Sequence, residues 1–345
     1  MSDRRESEVA RAAWLYYLQE LTQGEVAREL GVSRSTVVRL LQRAKEEGLV
    51  RITLSVPREV FDMERELERL YELEKVRLVP ESRDEEMLKG WLGHAAADLL
   101  TDMVKPESTV AVSWGTTLRA MTKSLVGEKR VEGVKIVSLT GGLHRAFSGT
   151  NSYWVAEQIG RYFHAPAQVL YAPLFVEDRA TAEALVRDPD IRDTLDLARR
   201  ASLVIYSVGT LDEGATLNQL GYLSSEEQAF LRERGAVGDI ACRWIDLEGN
   251  PVELPPTVNP ISISLEQLKS IPKRVTVAGG ELKRDAILGV LRGGYTTTLV
   301  TDEGTAAYLL ERAVDSRVPG SSDRGGQRSA KEAHALTEGI SANSP

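Results

Sequence analysis

The chain has 345 residues, 42% of them apolar and 27% charged, with a formal net charge of −8. This composition describes a globular protein of roughly two domains, and its acidity excludes affinity of the whole molecule for nucleic acid. One cysteine, Cys242, excludes a disulfide framework or a cysteine-based metal site within the chain, and its apolar setting (IACRWIDL) predicts a buried thiol. The polar N-terminus MSDRRESEVA and the lack of a run of about eighteen apolar residues predict neither signal peptide nor membrane span, hence a cytoplasmic home.

Residues 8–20 (EVARAAWLYYLQE) predict a first helix, packing through Ala12, Leu15 and Tyr16 with Trp14 beside them. The stretch Gln23–Gln42, QGEVARELGVSRSTVVRLLQ, then reads as a helix-turn-helix. Ala27 is small where two helices approach, and Gly31 supplies the left-handed residue of the turn. Val26, Leu30 and Val32 close the first helix onto the second, which Ser33 caps. Val37 and Leu40 point inward at helical spacing. The outward face carries Ser33, Arg34, Ser35, Thr36, Val38, Arg39 and Gln42, with Arg43 close by and Gln23 at the start of the preceding helix. Between Ser33 and Lys45 the four charged residues, Arg34, Arg39, Arg43 and Lys45, are all basic. Side chains of these types contact base edges and phosphates in the major groove of double-stranded operator DNA.

After Gly48 a short β-prone run to Pro57 reads as a wing or an exit strand, closing a DNA-binding domain at 1–57. Residues 58–75 predict a linker helix with Val60, Met63, Leu67 and Leu70 on one face, either a short coiled-coil seam or a helix lying on the next domain. From Val76 to Asp315 short β-branched runs alternate with helices: VRLV, STVAVSW, VKIVSL, AQVLYAP, SLVIYSVG, ACRWIDL, RVTVAG and TTLVTD. Continuous apolar strands separated by helices predict a doubly wound parallel sheet, an α/β fold. Residues 316–345 are small and polar and predict a disordered tail.

In such folds ligands lie outside the carboxyl ends of the strands, at helix N-termini. Three loops fit that position. Ser113-Trp114-Gly115-Thr116-Thr117 offers a glycine, two hydroxyls and the free amides of a helix start. Leu139-Thr140-Gly141-Gly142 offers a second tight backbone. In Ala278-Gly279-Gly280-Glu281-Leu282-Lys283 a lysine stands in the first turn of a helix, against the helix dipole, which points to an anionic partner. Gly238-Asp239 adds a carboxylate able to accept from sugar hydroxyls or to serve as a turn residue.

The chain resembles the SorC family of sugar-responsive bacterial transcriptional regulators over about Glu8–Arg312. The resemblance is carried by SRSTVVRLLQRAKEEGLVRI, SWGTTL, LTGG, YAPLF and, most specifically, AGGELKRDAILGVLRGGYTTTLVTDEGTAAYLL. It implies an effector domain similar to sugar-phosphate isomerases and deaminases that binds a small phosphorylated sugar without catalysing its conversion. The phosphate would lie on Gly115-Thr116-Thr117, with Thr140, Asp239 and Lys283 near the rest and Gly141 and Gly142 in the same loop as Thr140. Members often carry arginine or lysine where Thr140 stands; threonine removes that charge. No cofactor, metal site or catalytic residue is expected. The competing reading is a sugar-phosphate isomerase or deaminase with an accessory DNA-binding end. Because one helix-turn-helix reads only a short half-site, a homodimer or homotetramer is expected.

Overall fold

The computed structural model describes residues 2–17, 19, 21–46, 49–50, 58–143 and 150–315. The chain divides into two compact units, Met1–Arg58 and Glu59–Pro345. Residues 51–57 of the run expected as a wing or exit strand, and the C-terminal tail, lie outside the described residues.

The first unit contains helices α1 (Ser2–Tyr17), α2 (Gln23–Leu30) and α3 (Arg34–Glu46). Thr22 opens α2 with a capping box: its hydroxyl accepts the Glu25 amide, and the Glu25 carboxylate accepts the Thr22 amide at 2.8 Å. Gly31 ends α2 in the left-handed conformation, φ 66°, so that the chain can reverse into α3. The Ser33 hydroxyl then accepts the Thr36 amide at 3.1 Å and starts α3. Ala12, Leu15, Val26, Ala27, Val37 and Leu41 form the shared core. The buried stripe of α3 runs Val37, Leu41, Ala44, so Leu40, expected inside, sits half-buried at its edge. Trp14 is 50% exposed. At 100° per residue, turning Ala12 and Leu15 inward carries it to the far side of α1.

The second unit runs α4 (Arg58–Leu70), β1 (Lys75–Val79), α5 (Glu85–Met103), β2 (Thr109–Val112), α6 (Thr116–Ser124), β3 (Lys135–Ser138), α7 (Ser152–Phe163) and β4 (Ala167–Gln168). It continues with β5 (Phe175–Val176), α8 (Arg179–Arg187), α9 (Pro189–Arg199), β6 (Leu203–Tyr206), α10 (Thr216–Gln219), α11 (Ser225–Glu233), β7 (Ala236–Ile240) and β8 (Arg243–Asp246). It closes with β9 (Asn259–Pro260), α12 (Leu265–Ser270), β10 (Lys273–Val277), a 3-10 turn (Glu281–Lys283), α13 (Arg284–Arg292), β11 (Thr298–Asp302) and α14 (Glu303–Asp315).

Seven strands form one parallel sheet in the order β1-β11-β10-β6-β2-β3-β4. One face is covered by α5, α6 and α7 through Leu92, Leu118, Met121, Val155 and Ile159. The other is covered by α4, α9, α12, α13 and α14 through Leu67, Leu195, Leu268, Ile287 and Leu309. This double burial is why the strands read as unbroken apolar runs. From β2 the chain steps outward to β3 and β4, then returns to the opposite side of β2 as β6. The topological switch therefore lies between β2 and β6, where such sheets open a crevice.

One expectation is corrected and one alternative is decided. The run ACRWIDL is not a strand of the parallel sheet; Arg243–Asp246 pairs antiparallel with β7 in a separate hairpin. Ala241 and Cys242, at φ 52° and 64°, turn the chain back after Ile240. Neither residue is a usual left-handed type, so the turn is hidden in the sequence. Of the two readings of helix α4, the helix lying on the next domain is the one the fold takes: Val60 and Leu67 enter the main core of the second unit, with Met63 packed against it.

Two carboxylates of α4 also cover the open edge of β1. Glu68 Oε1 accepts the Val76 amide at 2.9 Å, and the buried Glu64 Oε1 accepts the Leu78 amide at 2.8 Å. They replace a missing neighbour strand. Glu64→Ala is expected to lower stability by about 1–3 kcal/mol, because a buried amide loses a charged acceptor. An unchanged urea midpoint would mean that water meets the amide instead.

Candidate functional site

A cavity of about 910 Å³ opens at the carboxyl edge of the sheet, over the β2/β6 switch. Its walls come from the segments after β1 (Glu81, Arg83), β2 (Ser113–Thr117), β6 (Ser207–Thr210) and β10 (Gly279–Arg284), from Asp302 at the end of β11, and from Asp239 and Ala241 of the hairpin.

At the β2 wall, Gly115 adopts φ 129°, a backbone that an L side chain rarely takes, and it leads directly into α6. Its own amide is tied to the Thr150 carbonyl at 3.1 Å. Having no side chain, it places no cap on α6. The first-turn amides of Thr116, Thr117 and Leu118 have no partner within the helix, and the positive end of the helix dipole faces the same way. A helix start built like this takes an anion.

At the β10 wall, Gly280 (φ 94°) donates its amide to Asp302 Oδ2 at 2.7 Å. Asp302 also accepts the Thr305 amide at 2.9 Å and the Thr305 hydroxyl at 2.6 Å. This buried carboxylate thus locks the β10 loop to the start of α14. Lys283 follows, enclosed by protein yet keeping part of its surface on the cavity. Burial and the nearby Lys89 ammonium lower its pKa to about 8, against the opposing pull of Asp239, Asp212 and Glu85. Lys89 also lines the cavity and is held by Glu85 and Glu86 at 3.0 and 3.2 Å.

Asp239, on the hairpin, is 5% exposed. Two backbone bonds to Gly209, 3.0 and 3.1 Å long, tie it to the exit of β6. A Cβ on Gly209 would fall 2.0 Å from Asp239 Oδ1, so only glycine leaves room for the carboxylate. The Cys242 amide donates to Oδ2 at 2.8 Å. Burial raises the Asp239 carboxyl to about 6, although that bond and the Lys283 charge act in the other direction. Cys242 is itself buried, and burial together with Asp239 pushes its thiol well above the usual range.

Of the residues singled out from the sequence, Gly115, Thr116, Thr117, Asp239 and Lys283 meet in this one cavity. Thr140, Gly141 and Gly142 do not line it. Their loop is a structural joint: the Gly141 amide donates to the Ile261 carbonyl at 2.9 Å, and the Gly142 amide to Ala172 at 2.8 Å. Thr140 is wholly buried and bridges to Ser262. With both glycine amides spent on the fold, this backbone has none to offer a ligand. Sequence reasoning missed Ser207–Thr210, whose SVG turn at the end of β6 was an available signal. It also missed Arg83, Lys89 and Asp212, charged residues in polar surroundings that no local pattern distinguishes.

In the first unit, Ser33, Arg34, Ser35, Val38, Arg39, Gln42 and Arg43 are exposed and Thr36 is half-buried. Arg34 Nε donates to Gln23 Oε1 at 3.4 Å, joining the two helices at their N-terminal ends. Among the described residues, no cluster of three or more histidine, cysteine or acidic side chains could hold a metal ion. Among those residues, no helix is long and apolar enough to cross a membrane.

Comparison with known proteins agrees with both halves. Residues 56–311 match the family described as "Putative sugar-binding domain", and residues 12–57 match the MarR family. The chain is 34% identical over 311 residues to the uncharacterized transcriptional regulator YjhU of Escherichia coli (strain K12), covering 88% of this chain and 94% of that one. It is 32% identical over 311 residues to the deoxyribonucleoside regulator of Bacillus subtilis (strain 168), covering 89% and 99%. Its fold is similar to the full-length sorbitol operon regulator SorC from Klebsiella pneumoniae, with a TM-score of 0.68 and 26% identity over 89% of this chain and 99% of that one. With a reader helix in one unit, a cavity in the other and relatives that match both, the chain belongs to the SorC family of sugar-binding transcriptional regulators.

Proposed function

We propose that the protein is a DNA-binding regulator, acting as a homodimer or homotetramer, whose operator affinity is set by a small phosphorylated sugar held in the sheet-edge cavity. The observation that carries this reading is the convergence of an uncapped helix start at Gly115 with Lys283 in one cavity. Dipole, open amides and ammonium all favour an anion there, and Asp239 on the hairpin can accept from sugar hydroxyls. The names of two relatives, a deoxyribonucleoside regulator and a sorbitol operon regulator, support a sugar-like effector. A thermal-shift screen over phosphorylated pentoses, hexoses and tetritols tests it. A ligand at a hundred times its Kd adds about 2.7 kcal/mol, and a panel without any shift would count against the reading.

The pH dependence follows from the two titrating groups. Asp239 accepts from a hydroxyl most strongly when ionised, an advantage lost as pH falls through about 6. Lys283 attracts a phosphate only when protonated, which is lost as pH rises through about 8. The phosphate's second ionisation near pH 6 acts in the same direction as Asp239. Affinity measured by calorimetry is therefore expected to be greatest between about 6 and 8 and to fall on both sides. A flat profile from pH 5 to 9 would remove both groups from the contact.

On the DNA side, Gln23, Ser33, Arg34, Ser35, Thr36, Arg39, Gln42 and Arg43 form the reading face. Ser33 and Arg34 are partly committed to the fold through Thr36 and Gln23, whereas Arg39 makes only a long 3.5 Å bond to Thr36 and is the main reader. Arg39→Ala is expected to weaken operator binding by about 1–3 kcal/mol if it reads a base. Equal affinity in a gel shift at fixed salt would place Arg39 off the DNA.

One observation favours a second reading. A carboxyl near 6 beside an ammonium near 8 is matched to general base and acid work at neutral pH, as in a sugar-phosphate isomerase or deaminase. Turnover of the bound sugar phosphate would select that reading; recovery of the ligand unchanged selects the sensor.

A further inference from the structure

We propose that Cys242 is the positioning residue of the effector site: it aims the Asp239 carboxylate and ties it to the phosphate loop, so that selectivity for a sugar phosphate over bare phosphate depends on this buried side chain. The proposal rests on the sugar-phosphate reading above.

The two ends of the cavity come from different elements, the β2 exit and the hairpin. The Gly115–Leu118 loop stands on β2 and the main sheet, whereas the hairpin turns Ile240 and Ile245 into the main core and Cys242 and Trp244 into a second, small core with Leu211, Leu217, Leu231 and Val258. Backbone bonds to Gly209 fix where Asp239 sits. They leave the direction of its carboxylate open, and the Cys242 amide sets that direction by donating to Oδ2 at 2.8 Å. The amide faces inward because Ala241 and Cys242 both hold positive φ, 52° and 64°. Left-handed backbone costs a non-glycine residue roughly 1–2 kcal/mol, and it persists where the surroundings hold it.

What holds it is the Cys242 side chain. It is 0% exposed within the small core. Its thiol also interacts with the side chain of Trp114, which packs against that same core and lines the cavity one residue before Gly115. Cys242 thus touches the phosphate loop through its side chain and Asp239 through its amide. Any ligand that bridges the two ends reads the distance that Cys242 sets. Bare phosphate, which needs only the loop and Lys283, does not.

The test uses the full-length protein with two probes, inorganic phosphate and the tightest-binding sugar phosphate of a panel containing ribose 5-phosphate, deoxyribose 5-phosphate, erythritol 4-phosphate and fructose 6-phosphate. Cys242→Gly removes the anchor and lets the turn sample both signs of φ. By calorimetry it should lower sugar-phosphate affinity at least tenfold and leave inorganic phosphate within twofold. Cys242→Ser, which keeps a small buried side chain facing Trp114, should retain most of the selectivity. Because Cys242 acts through Asp239, adding Cys242→Gly to Asp239→Asn should cost no more than about another twofold. An additive double variant, or equal loss for both probes, would make Cys242 a purely structural residue and overturn the assignment. So would a Cys242→Gly protein with wild-type selectivity. If wild type binds no panel member more tightly than inorganic phosphate, the sugar-phosphate reading fails and this assignment fails with it.

Discussion

Lys283→Ala is expected to lower the affinity for a sugar phosphate at least tenfold while leaving operator binding without ligand near wild type. The lysine stands at a strand exit, lines the cavity and feels both Asp239 and Lys89. Hydrogen bonds to charged groups are worth about 1.5–3 kcal/mol, and tenfold is about 1.4 kcal/mol, so the predicted loss is the lower end of one such contact. The side chain does not hold the fold together: the loop around it is fixed by Asp302 and Gly280, not by the ammonium. Calorimetry gives the first quantity and a gel shift the second. Wild-type effector affinity would move the anion site elsewhere in the cavity. Loss of ligand-free DNA binding would make the lysine structural.

Asp302→Ala should do the opposite, damaging stability first. Its carboxylate accepts the Gly280 amide, the Thr305 amide and the Thr305 hydroxyl, and it is wholly buried. Removing it strands three donors where water does not reach. The expected loss is about 3–5 kcal/mol, a large part of the 5–15 kcal/mol that typically holds a domain together. Asp302→Asn keeps one acceptor oxygen and should fall between. Urea unfolding followed by circular dichroism measures both. An alanine variant within about 1 kcal/mol of wild type would mean that Gly280 and Thr305 find other acceptors.

Much of this molecule was legible in its sequence because the relevant physics is local. Gly31 and Ser33 write the helix-turn-helix in a turn and a cap, and the structure forms both. The apolar runs at β2, β3, β6, β10 and β11 name a parallel sheet because strands buried on both faces need no alternation. The glycines of SWGTT and AGGELK marked two of the cavity walls for the same reason: chain turns at strand ends need unusual backbone.

The remainder was hidden where tertiary context overrides local signal. The LTGG loop looks like a ligand cradle, yet its amides are consumed by Ile261 and Ala172, residues that come from distant segments. ACRWIDL looks like another buried strand, because nothing in Ala241-Cys242 announces a left-handed turn. A periodic helix after Pro57 is equally fit for a coiled coil; only Glu64 and Glu68 reaching β1 reveal that it seals a sheet edge. Lys89 and Arg83 join the cavity through the fold alone.

On the proposed function, sugar-phosphate occupancy of the sheet-edge cavity sets operator affinity. Fluorescence anisotropy on an operator selected from a random-sequence pool tests it most directly, titrating wild type and Lys283→Ala with and without a saturating sugar phosphate found in the thermal-shift screen. The ligand is expected to change the wild-type Kd for DNA at least tenfold, about 1.4 kcal/mol of coupling, and to leave the Lys283→Ala Kd unchanged at the same ligand concentration. An operator Kd that stays the same in wild type, with calorimetry confirming that the sugar phosphate is bound, would contradict it.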